Sequence, residues 1–125
     1  MIVRFACAAV IMAVTAAPAP AEGDAAKGAS VYKLCMACHA IDDATNKTGP
    51  SLKGLIGRKV ASVEGYAYSE AMKAYAATVP VWDEASFDTY ITKPRDAVKG
   101  TKMAFVGVKD EGKRADLIAF LKSKQ

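Results

Sequence analysis

A five-residue motif, Cys35-Met36-Ala37-Cys38-His39, constrains this chain more than any other feature of its sequence. Two cysteines three residues apart share one face of a helix, and the histidine four residues after the first follows on that face. Each thiol can form a thioether with one vinyl group of a porphyrin, and the imidazole then lies beneath the iron as an axial ligand. This C-x-x-C-H pattern is the attachment signature of c-type haem. Because His39 is the only histidine, the motif predicts one covalent haem c per chain, bound through Cys35 and Cys38, with His39 on the iron.

Three other interpretations of the motif account for less of it. A structural zinc site needs four ligands, usually as two pairs, and this sequence has one Cys-x-x-Cys and no second pair. A thioredoxin-like redox motif requires a βαβ context, and no strand pattern is present. A disulfide between Cys35 and Cys38 leaves His39 without a role. Haem attachment uses all three side chains.

The N-terminal segment has the layout of a secretory signal peptide. Arg4 is the only charge before an apolar run at 5–15, and a small-residue cleavage site follows. Earlier alanine junctions would put a proline first in the mature chain, so we expect Ala21 to be the last residue removed. An uncleaved membrane anchor is the alternative, but the run is short of the roughly 20 residues that a span requires. The sequence thus predicts a signal peptide at 1–21, a mature domain at 22–125 and a periplasmic location.

The mature part is small and mildly basic. Without Arg4, 16 of the 17 Lys and Arg residues remain against 13 Asp and Glu residues, a net charge of +3. A domain of this size buries only about two-thirds of its unfolded surface, and a covalent haem adds a large apolar plate to its core. Cys7 leaves with the signal peptide, so both remaining cysteines belong to the motif and no disulfide is expected. No nucleic-acid-binding motif accompanies the basic charge, and we expect no nucleic-acid partner.

Apolar residues recur at helical spacing in several segments, and no alternating pattern of strand length occurs. Asp24 is a candidate N-cap for the first helix, which carries the motif at its end. Gly28 within this helix weakens helix propensity, which indicates a close helix crossing. The fold class is therefore all-α. We predict helices over 24–38, 69–76, 83–92 and 110–122, with irregular structure over 40–62 and 95–109.

The sixth position on the iron needs a soft, neutral ligand, and the mature chain has three methionines. Met36 lies between the two cysteines and cannot reach across the ring. Met72 lies in a helical segment, where methionine more often fills gaps in a core. Met103 lies in a glycine-containing loop beyond the helix-ending Pro94, and such a loop can reach the face opposite His39. We favour Met103, with Met72 as the alternative.

Six segments, which cover nearly all of the mature chain, resemble class I cytochrome c, and bacterial cytochrome c2 in particular. The C-x-x-C-H motif alone indicates only c-type haem, whereas Gly-Thr-Lys-Met downstream makes the resemblance specific. The resemblance implies a small cytochrome c fold of about four to five short helices around one haem, with Met103 as sixth ligand. The matching segments are 35–39, Thr48-Gly49-Pro50-Ser51-Leu52, Gly57-Arg58-Lys59, Trp82, Gly100-Thr101-Lys102-Met103 and Arg114-Ala115-Asp116-Leu117-Ile118-Ala119-Phe120-Leu121.

The resemblance also implies roles for further residues around the haem. The carbonyl of Pro50 accepts a hydrogen bond from the ring nitrogen of His39 that does not bind iron. Three donors, Arg58, Tyr68 and Trp82, hold a haem propionate; a plain core position is the alternative for Trp82. In addition, Tyr90 lies beside the Met103 sulfur, Thr101 bonds near a propionate, and Gly28 and Phe120 mark the crossing of the first and last helices.

Two features depart from the pattern of the mitochondrial members of the family. Met72 falls near the place of an asparagine that helps to order an internal water in those proteins. The stretch from Tyr68 to Trp82 is also somewhat longer. Both departures bear on hydrogen bonding near the haem.

The resemblance implies a soluble, monomeric single-electron carrier, and not an enzyme, in a respiratory or photosynthetic chain. The implied partners are a cytochrome bc1-type donor and an oxidase, reaction centre or dehydrogenase. Residues 91–125 contain nine basic and four acidic side chains, and Lys93, Arg95, Lys99 and Lys102 flank the ligand loop. A solvated surface accounts for such a cluster, but a basic ring also steers docking onto acidic partner surfaces.

Two other haem functions need an open or labile sixth position. A small peroxidase and a gas-binding sensor both require the iron to accept an outside ligand, and Met103 argues against each. Rapid binding of carbon monoxide to the ferrous protein would favour them.

Overall fold

A computed structural model of the chain describes residues 22–125; the predicted signal peptide and its cleavage at Ala21 lie outside this range. Within these residues the predicted all-α fold is confirmed, since the one strand-like contact is an isolated antiparallel bridge between Lys59 and Val81. No helix of the described part is long and apolar enough to cross a bilayer. The helices are α1 (Ala25–Tyr32), α2 (Glu70–Thr78), α3 (Glu84–Thr92), α4 (Pro94–Ala97) and α5 (Glu111–Lys122).

Side-chain caps explain why most of these helices begin where the sequence predicts. The first backbone N–H groups of a helix have no partner within it, and a carboxylate or hydroxyl just before the helix can accept from them. Asp24 accepts from the N–H groups of Ala26 and Lys27 at 2.8 and 3.1 Å. The caps of α2, α3 and α5 are Ser69, Asp83 and Asp110.

The first helix is shorter than predicted, and the motif follows it instead of lying within it. Helix α1 ends at Tyr32, and the next residues form turns up to Cys38. The hydrogen bonds change there to the tighter three-residue type, as in Cys35 N–H to Tyr32 O at 2.7 Å. The Tyr32 hydroxyl also donates to the carbonyl of His39 at 2.8 Å. This bond between residues seven positions apart fixes the turn, and helical periodicity cannot reveal it.

The segment predicted as a loop over 95–109 contains a further short helix, α4. Pro94 occupies its first turn, where a missing N–H costs nothing and the fixed φ suits a helix. We expected Pro94 only to end the preceding helix. Instead α3 ends at Thr92 and Pro94, which is buried, begins the next one.

The predicted crossing of the first and last helices is confirmed. A Cβ added to Gly28 would lie 1.9 Å from the carbonyl oxygen of Asp116 and 2.7 Å from Cβ of Phe120. The rings of Tyr32 and Phe120 meet with centroids 5.2 Å apart. Only glycine permits α1 and α5 to approach this closely, and their contact supports the turn that carries the motif.

Helix α2 contributes less to the buried core than α1, α3 and α5 do. Within the described residues its backbone lies close to no other helix, and none of its side chains is fully buried. It meets α3 only through side chains, with the ring centroids of Tyr75 and Tyr90 6.2 Å apart. Its contact with the core is made by the partly buried Ala71, Met72, Tyr75 and Ala76. Met72 and the Ser69 cap also line the cavity described below, so α2 forms part of its wall.

Candidate haem-binding site

A cavity of about 410 Å³ lies among the helices and loops of the domain. Its walls bring together every residue that the sequence or the resemblance assigns to haem or iron. Met72, the alternative sixth ligand, lines it as well, whereas Met36 is 54% exposed. The assigned residues on the walls are Cys35, Cys38, His39, Pro50, Arg58, Tyr68, Trp82, Tyr90, Thr101 and Met103.

The two thiols of the motif are unpaired and differ in their surroundings. Cys35 is half-buried and Cys38 is exposed, and neither forms a disulfide within residues 22–125. Burial, followed by the nearness of Cys38, raises the pKa of Cys35 to about 11. The turn after α1 is held by the bonds from the N–H groups of Cys38 and His39 to the carbonyl of Cys35, both at 3.0 Å. Both sulfurs are thus presented to one cavity by a fixed backbone.

His39 is held in one tautomer by the next loop. Its Nδ1 lies 2.7 Å from the carbonyl oxygen of Pro50. Because a carbonyl only accepts, Nδ1 carries the hydrogen, and the lone pair of a neutral ring is on Nε2. Burial lowers the pKa of His39, the bond to Pro50 opposes this, and the charges of Arg58 and Lys47 lower it further. A neutral imidazole with a free Nε2 is the form that binds a metal.

Gly49 is a site residue to which the sequence assigned no role beyond membership of the matching segment Thr48-Gly49-Pro50-Ser51-Leu52. A Cβ at this position would lie 2.3 Å from Cε1 of His39, and 2.7 and 2.8 Å from the two ring nitrogens. The Gly49 N–H also donates to the carbonyl of Cys38 at 2.8 Å. The Gly-Pro pair therefore packs directly against the imidazole. The sequence offered one indication of this role, since Gly49 directly precedes Pro50, the residue expected to accept a hydrogen bond from His39.

Met103 and Tyr90 meet on another part of the cavity wall. The Tyr90 hydroxyl donates to the Met103 sulfur, with Oη and Sδ 3.9 Å apart. Burial raises the pKa of Tyr90 to about 12, so its hydroxyl remains a donor at neutral pH. The N–H of Met103 donates to Oγ1 of Thr101 at 3.3 Å, which orders the backbone before the thioether.

Two of the residues assigned to a propionate, Arg58 and Tyr68, already form hydrogen bonds with the backbone. Arg58 donates through Nη1 to the carbonyls of Ser51 and Lys53, at 2.9 and 3.0 Å. Its Nε is buried and has no partner among the described residues. The Tyr68 oxygen accepts from the N–H of Val63 at 3.0 Å, so its own hydrogen is free to donate. Burial raises the pKa of Tyr68 and lowers that of Arg58.

Trp82 lies in the core and in the wall of the cavity. It lines the cavity and is only 6% exposed. Its ring packs against Tyr90 with centroids 4.9 Å apart and against Phe87 at 6.3 Å. It is therefore a core aromatic residue that also faces the haem cavity.

Tyr66 and Lys102 also line the cavity, and no motif in the sequence points to a role for Tyr66. The Tyr66 hydroxyl donates to the carbonyl of Thr48 at 3.0 Å. The ammonium of Lys102 donates to the carbonyl of Ala67 at 2.7 Å. Both contacts join segments far apart in the chain, so no local pattern could reveal them.

The chemistry of the cavity fits haem c. Two free thiols stand at the attachment spacing, and a neutral imidazole and a thioether line the same space. The buried Nε of Arg58 lacks a partner in the described part of the chain, and an anionic carboxylate can supply one. Leucine and aromatic side chains form much of the remaining wall, including Leu52, Leu55, Phe87, Phe105, Leu117 and Leu121. An apolar macrocycle with two carboxylates matches this distribution.

Comparison with known proteins agrees with the site. The family model for cytochrome c matches residues 25–125. A cytochrome c2 from Blastochloris viridis is 49% identical over 113 residues, which cover 90% of this chain and 86% of that protein. Cytochrome c-554 from Methylosinus trichosporium is 47% identical over 115 residues, 91% of this chain and 85% of that protein.

A solved structure shares the fold at substantial sequence identity. Cytochrome cH from Methylobacterium extorquens superposes with a TM-score of 0.75 and 41% identity, covering 82% of this chain and all of that one. The chain belongs to the cytochrome c family: it binds haem c covalently through Cys35 and Cys38 and acts as an electron carrier.

Proposed function

We propose that this protein is a periplasmic single-electron carrier whose iron is ligated by His39 and Met103, and that it is not an enzyme. The observation that carries the proposal is the lining of one cavity by both side chains, each held by a neighbour. Pro50 holds the imidazole at 2.7 Å, and Tyr90 contacts the thioether sulfur at 3.9 Å. Haem c supplies an iron that alternates between ferrous and ferric. Two protein ligands leave no position for a substrate, which suits electron transfer.

The two ligands and their neighbours adjust the reduction potential. A thioether is a soft ligand that favours ferrous iron, so Met103 raises the potential. The Tyr90 hydroxyl donates to that sulfur and reduces its donation to the metal, which acts in the same direction. The Pro50 carbonyl increases the basicity of His39 and acts in the opposite direction. The potential is set by this balance and by burial.

We infer that Arg58, Tyr68, Trp82 and Thr101 hold the haem carboxylates. Among residues 22–125, Nε of Arg58 has no partner and the hydroxyl hydrogen of Tyr68 has no acceptor, which supports this. Thr101 accepts from the N–H of Met103 through its oxygen, and Tyr90 is a second hydrogen-bonding neighbour of its hydroxyl. Each group offers one donor, so together they can satisfy a buried carboxylate that would otherwise be costly.

The proposed partners are redox proteins with acidic docking surfaces, such as a bc1-type donor and an oxidase, reaction centre or dehydrogenase, and the carrier itself is monomeric. Lys93, Arg95, Lys99 and Lys102 flank the Met103 loop, and all four are exposed. Lys93 is partly neutralised by Asp96, with Nζ and Oδ2 3.6 Å apart. Exposed charges act mainly on association rate and lose effect with salt. Electron transfer to an acidic partner should therefore slow as ionic strength rises.

Export and cleavage are part of the same proposal. Covalent haem after a signal-like segment supports a mature protein that begins at Glu22. The intact mass of the periplasmic protein tests this, because a mass that retains residues 1–21 would indicate an anchor instead. Acid–acetone extraction tests the attachment, since haem bound through Cys35 and Cys38 stays with the polypeptide.

A matched pair of variants tests the ligation. In Met103→Ala the ferric protein should lose its weak far-red sulfur-to-iron band, and the ferrous protein should bind carbon monoxide. In Met72→Ala the band should remain, although both side chains line the same cavity. The opposite pattern would assign the ligand to Met72. An unchanged spectrum in both variants would mean that methionine does not ligate the iron.

A further inference from the structure

We propose that Tyr66 is a positioning residue that ties the turn holding His39 to the loop carrying Met103. The tie consists of three contacts: Tyr66 to Thr48, Tyr66 to Lys102, and Lys102 to Ala67. This inference rests on the proposed ligation of the iron by His39 and Met103. It adds a direct connection between the two ligand-bearing segments at the surface of the cavity.

The first half of the tie secures the His39 side. The Tyr66 hydroxyl donates to the carbonyl of Thr48 at 3.0 Å. Thr48 precedes Gly49, which packs against the imidazole, and Pro50, which accepts from its Nδ1. A displacement of this turn would therefore move the groups that orient His39.

The second half secures the Met103 side. The Lys102 ammonium lies 5.4 Å from the centroid of the Tyr66 ring, within cation–π distance. The same ammonium donates to the carbonyl of Ala67 at 2.7 Å. Lys102 immediately precedes Met103, so its side chain restrains the ligand loop where the thioether leaves the backbone.

The tie matters because the ligand loop has few other restraints before Met103. Gly100 has a positive φ of 88°. Among the described residues, the backbone N–H groups of Thr101 and Met103 make only local hydrogen bonds, to Val98 O and to Thr101 Oγ1. The non-local bond of Met103 is made at its sulfur, by the Tyr90 hydroxyl. The bond from Lys102 to Ala67 spans 35 positions and the bond from Tyr66 to Thr48 spans 18. Together these bonds restrain the turn that orients His39 and the loop that carries Met103, so that neither segment moves independently of the other.

The test is a double-mutant cycle with Tyr66→Phe and Lys102→Gln in the ferric holoprotein. Tyr66→Phe keeps the aromatic ring and removes only the bond to Thr48, whereas Lys102→Gln removes the cation. The probe is free imidazole, which must displace the methionine to bind iron, and the loss of the far-red band reports its affinity. Each variant should bind imidazole about two- to tenfold more tightly than the wild type, the range expected for loss of one exposed hydrogen bond. The double variant should gain less than the product of the two, since both changes break one tie.

A matched control is available at the other end of the domain. Lys124 also lies over a ring, 5.6 Å from the centroid of Phe120, and its ammonium bonds Asp42 at 2.9 Å. Lys124→Gln removes the same charge, a cation–π contact and a hydrogen bond away from the cavity, here to a carboxylate instead of a backbone carbonyl, and it should leave imidazole affinity unchanged. Equal effects of Lys124→Gln and Lys102→Gln would overturn the proposal, because net charge would then explain the result. Wild-type affinity in Tyr66→Phe would overturn it too.

Amide exchange separates this inference from the ligand assignment. Peptides that contain residues 98–105 should exchange faster in Tyr66→Phe than in the wild type, measured by mass spectrometry on the ferrous holoprotein. If the wild type lacks a far-red band, the Met103 ligation fails while faster exchange still supports the tie. If the band is present and exchange is unchanged, the tie fails and the ligation stands.

Discussion

The packing of Gly49 against His39 predicts that Gly49→Ala destabilises the holoprotein. An added Cβ would lie 2.3 Å from Cε1 of the ring, and ordinary contact begins near 3.4 Å, so the ring or the turn must move by about 1 Å. Neither is free to do so, because Nδ1 of the ring donates to the Pro50 carbonyl at 2.7 Å and the Gly49 N–H of the turn donates to the Cys38 carbonyl at 2.8 Å. The substitution therefore strains a well-packed contact and weakens a buried hydrogen bond.

The change in the free energy of unfolding is the balance of one stabilising and two destabilising effects. Gly49 does not have a positive φ, so alanine fits the backbone, and the stiffer unfolded chain favours folding by about 0.4–1 kcal/mol. Overpacking costs about 1–3 kcal/mol and an impaired buried hydrogen bond about 1–3 kcal/mol. The losses exceed the gain, and we expect a net destabilisation of about 2–4 kcal/mol.

The assay is denaturant unfolding of the ferric holoprotein, followed by circular dichroism. A lower midpoint at an unchanged slope measures the loss of stability. Gly112→Ala is the matched control, since Gly112 is exposed in α5 and the nearest atom to an added Cβ is Asp110 Oδ1 at 3.2 Å. Alanine there should be neutral or should stabilise by up to about 1 kcal/mol. If Gly49→Ala proves as stable as Gly112→Ala, the close packing inferred for the imidazole is wrong.

Three further predictions concern the helix crossing, the thioether and a cap. Gly28→Ala should lower the free energy of unfolding by about 1–3 kcal/mol, because the added Cβ would lie 1.9 Å from a carbonyl oxygen of α5. This loss exceeds the gain in helix propensity. Denaturant titration measures it, and a more stable variant would contradict the close crossing of α1 and α5. Tyr90→Phe should lower the reduction potential by about 20–60 mV, the equivalent of one hydrogen bond to sulfur, and a raised potential in a redox titration would refute that bond. The Asp83 carboxylate accepts a hydrogen bond from the Ser86 N–H, which lowers the pKa of Asp83 from its ordinary 3.8. The stability that this bond contributes is complete above pH 3.8, the pKa in the unfolded chain, and is lost as pH falls through the lowered pKa of the folded protein. Asp83→Asn should therefore reduce the loss of stability below about pH 4, measured by thermal unfolding across pH, and an identical acid limb would count against this.

Local chemistry made much of the fold predictable. Caps such as Asp24 and Asp110 act within three residues, so the sequence locates the helix starts closely. The end of α1 was not predictable in the same way, because a bond from the Tyr32 hydroxyl to the His39 carbonyl fixes the turn that follows. Helix α4 was missed because Pro94 both follows one helix and begins another.

In the candidate site, too, residues that belong to a local motif were predictable, and contacts between distant segments were not. Cys35, Cys38 and His39 follow from one motif, and Met103 follows from a loop that resembles those of the family. The packing of Gly49 on the ring and the tie through Tyr66 depend on segments brought together only in the folded chain. No spacing rule connects Tyr66 to Thr48 or Lys102 to Ala67, so these contacts require coordinates.

The most direct test of the central claim, a His39- and Met103-ligated electron carrier, is an optical redox titration of the purified holoprotein. A carrier should show one reversible one-electron transition, with a tenfold change in the ferric-to-ferrous ratio for every 59 mV. The far-red band should be present in the oxidised protein and absent in the reduced one, and carbon monoxide should not bind the reduced iron readily. A reduced protein that binds carbon monoxide rapidly, together with an oxidised protein that lacks the band, would contradict the account and favour a haem enzyme or sensor.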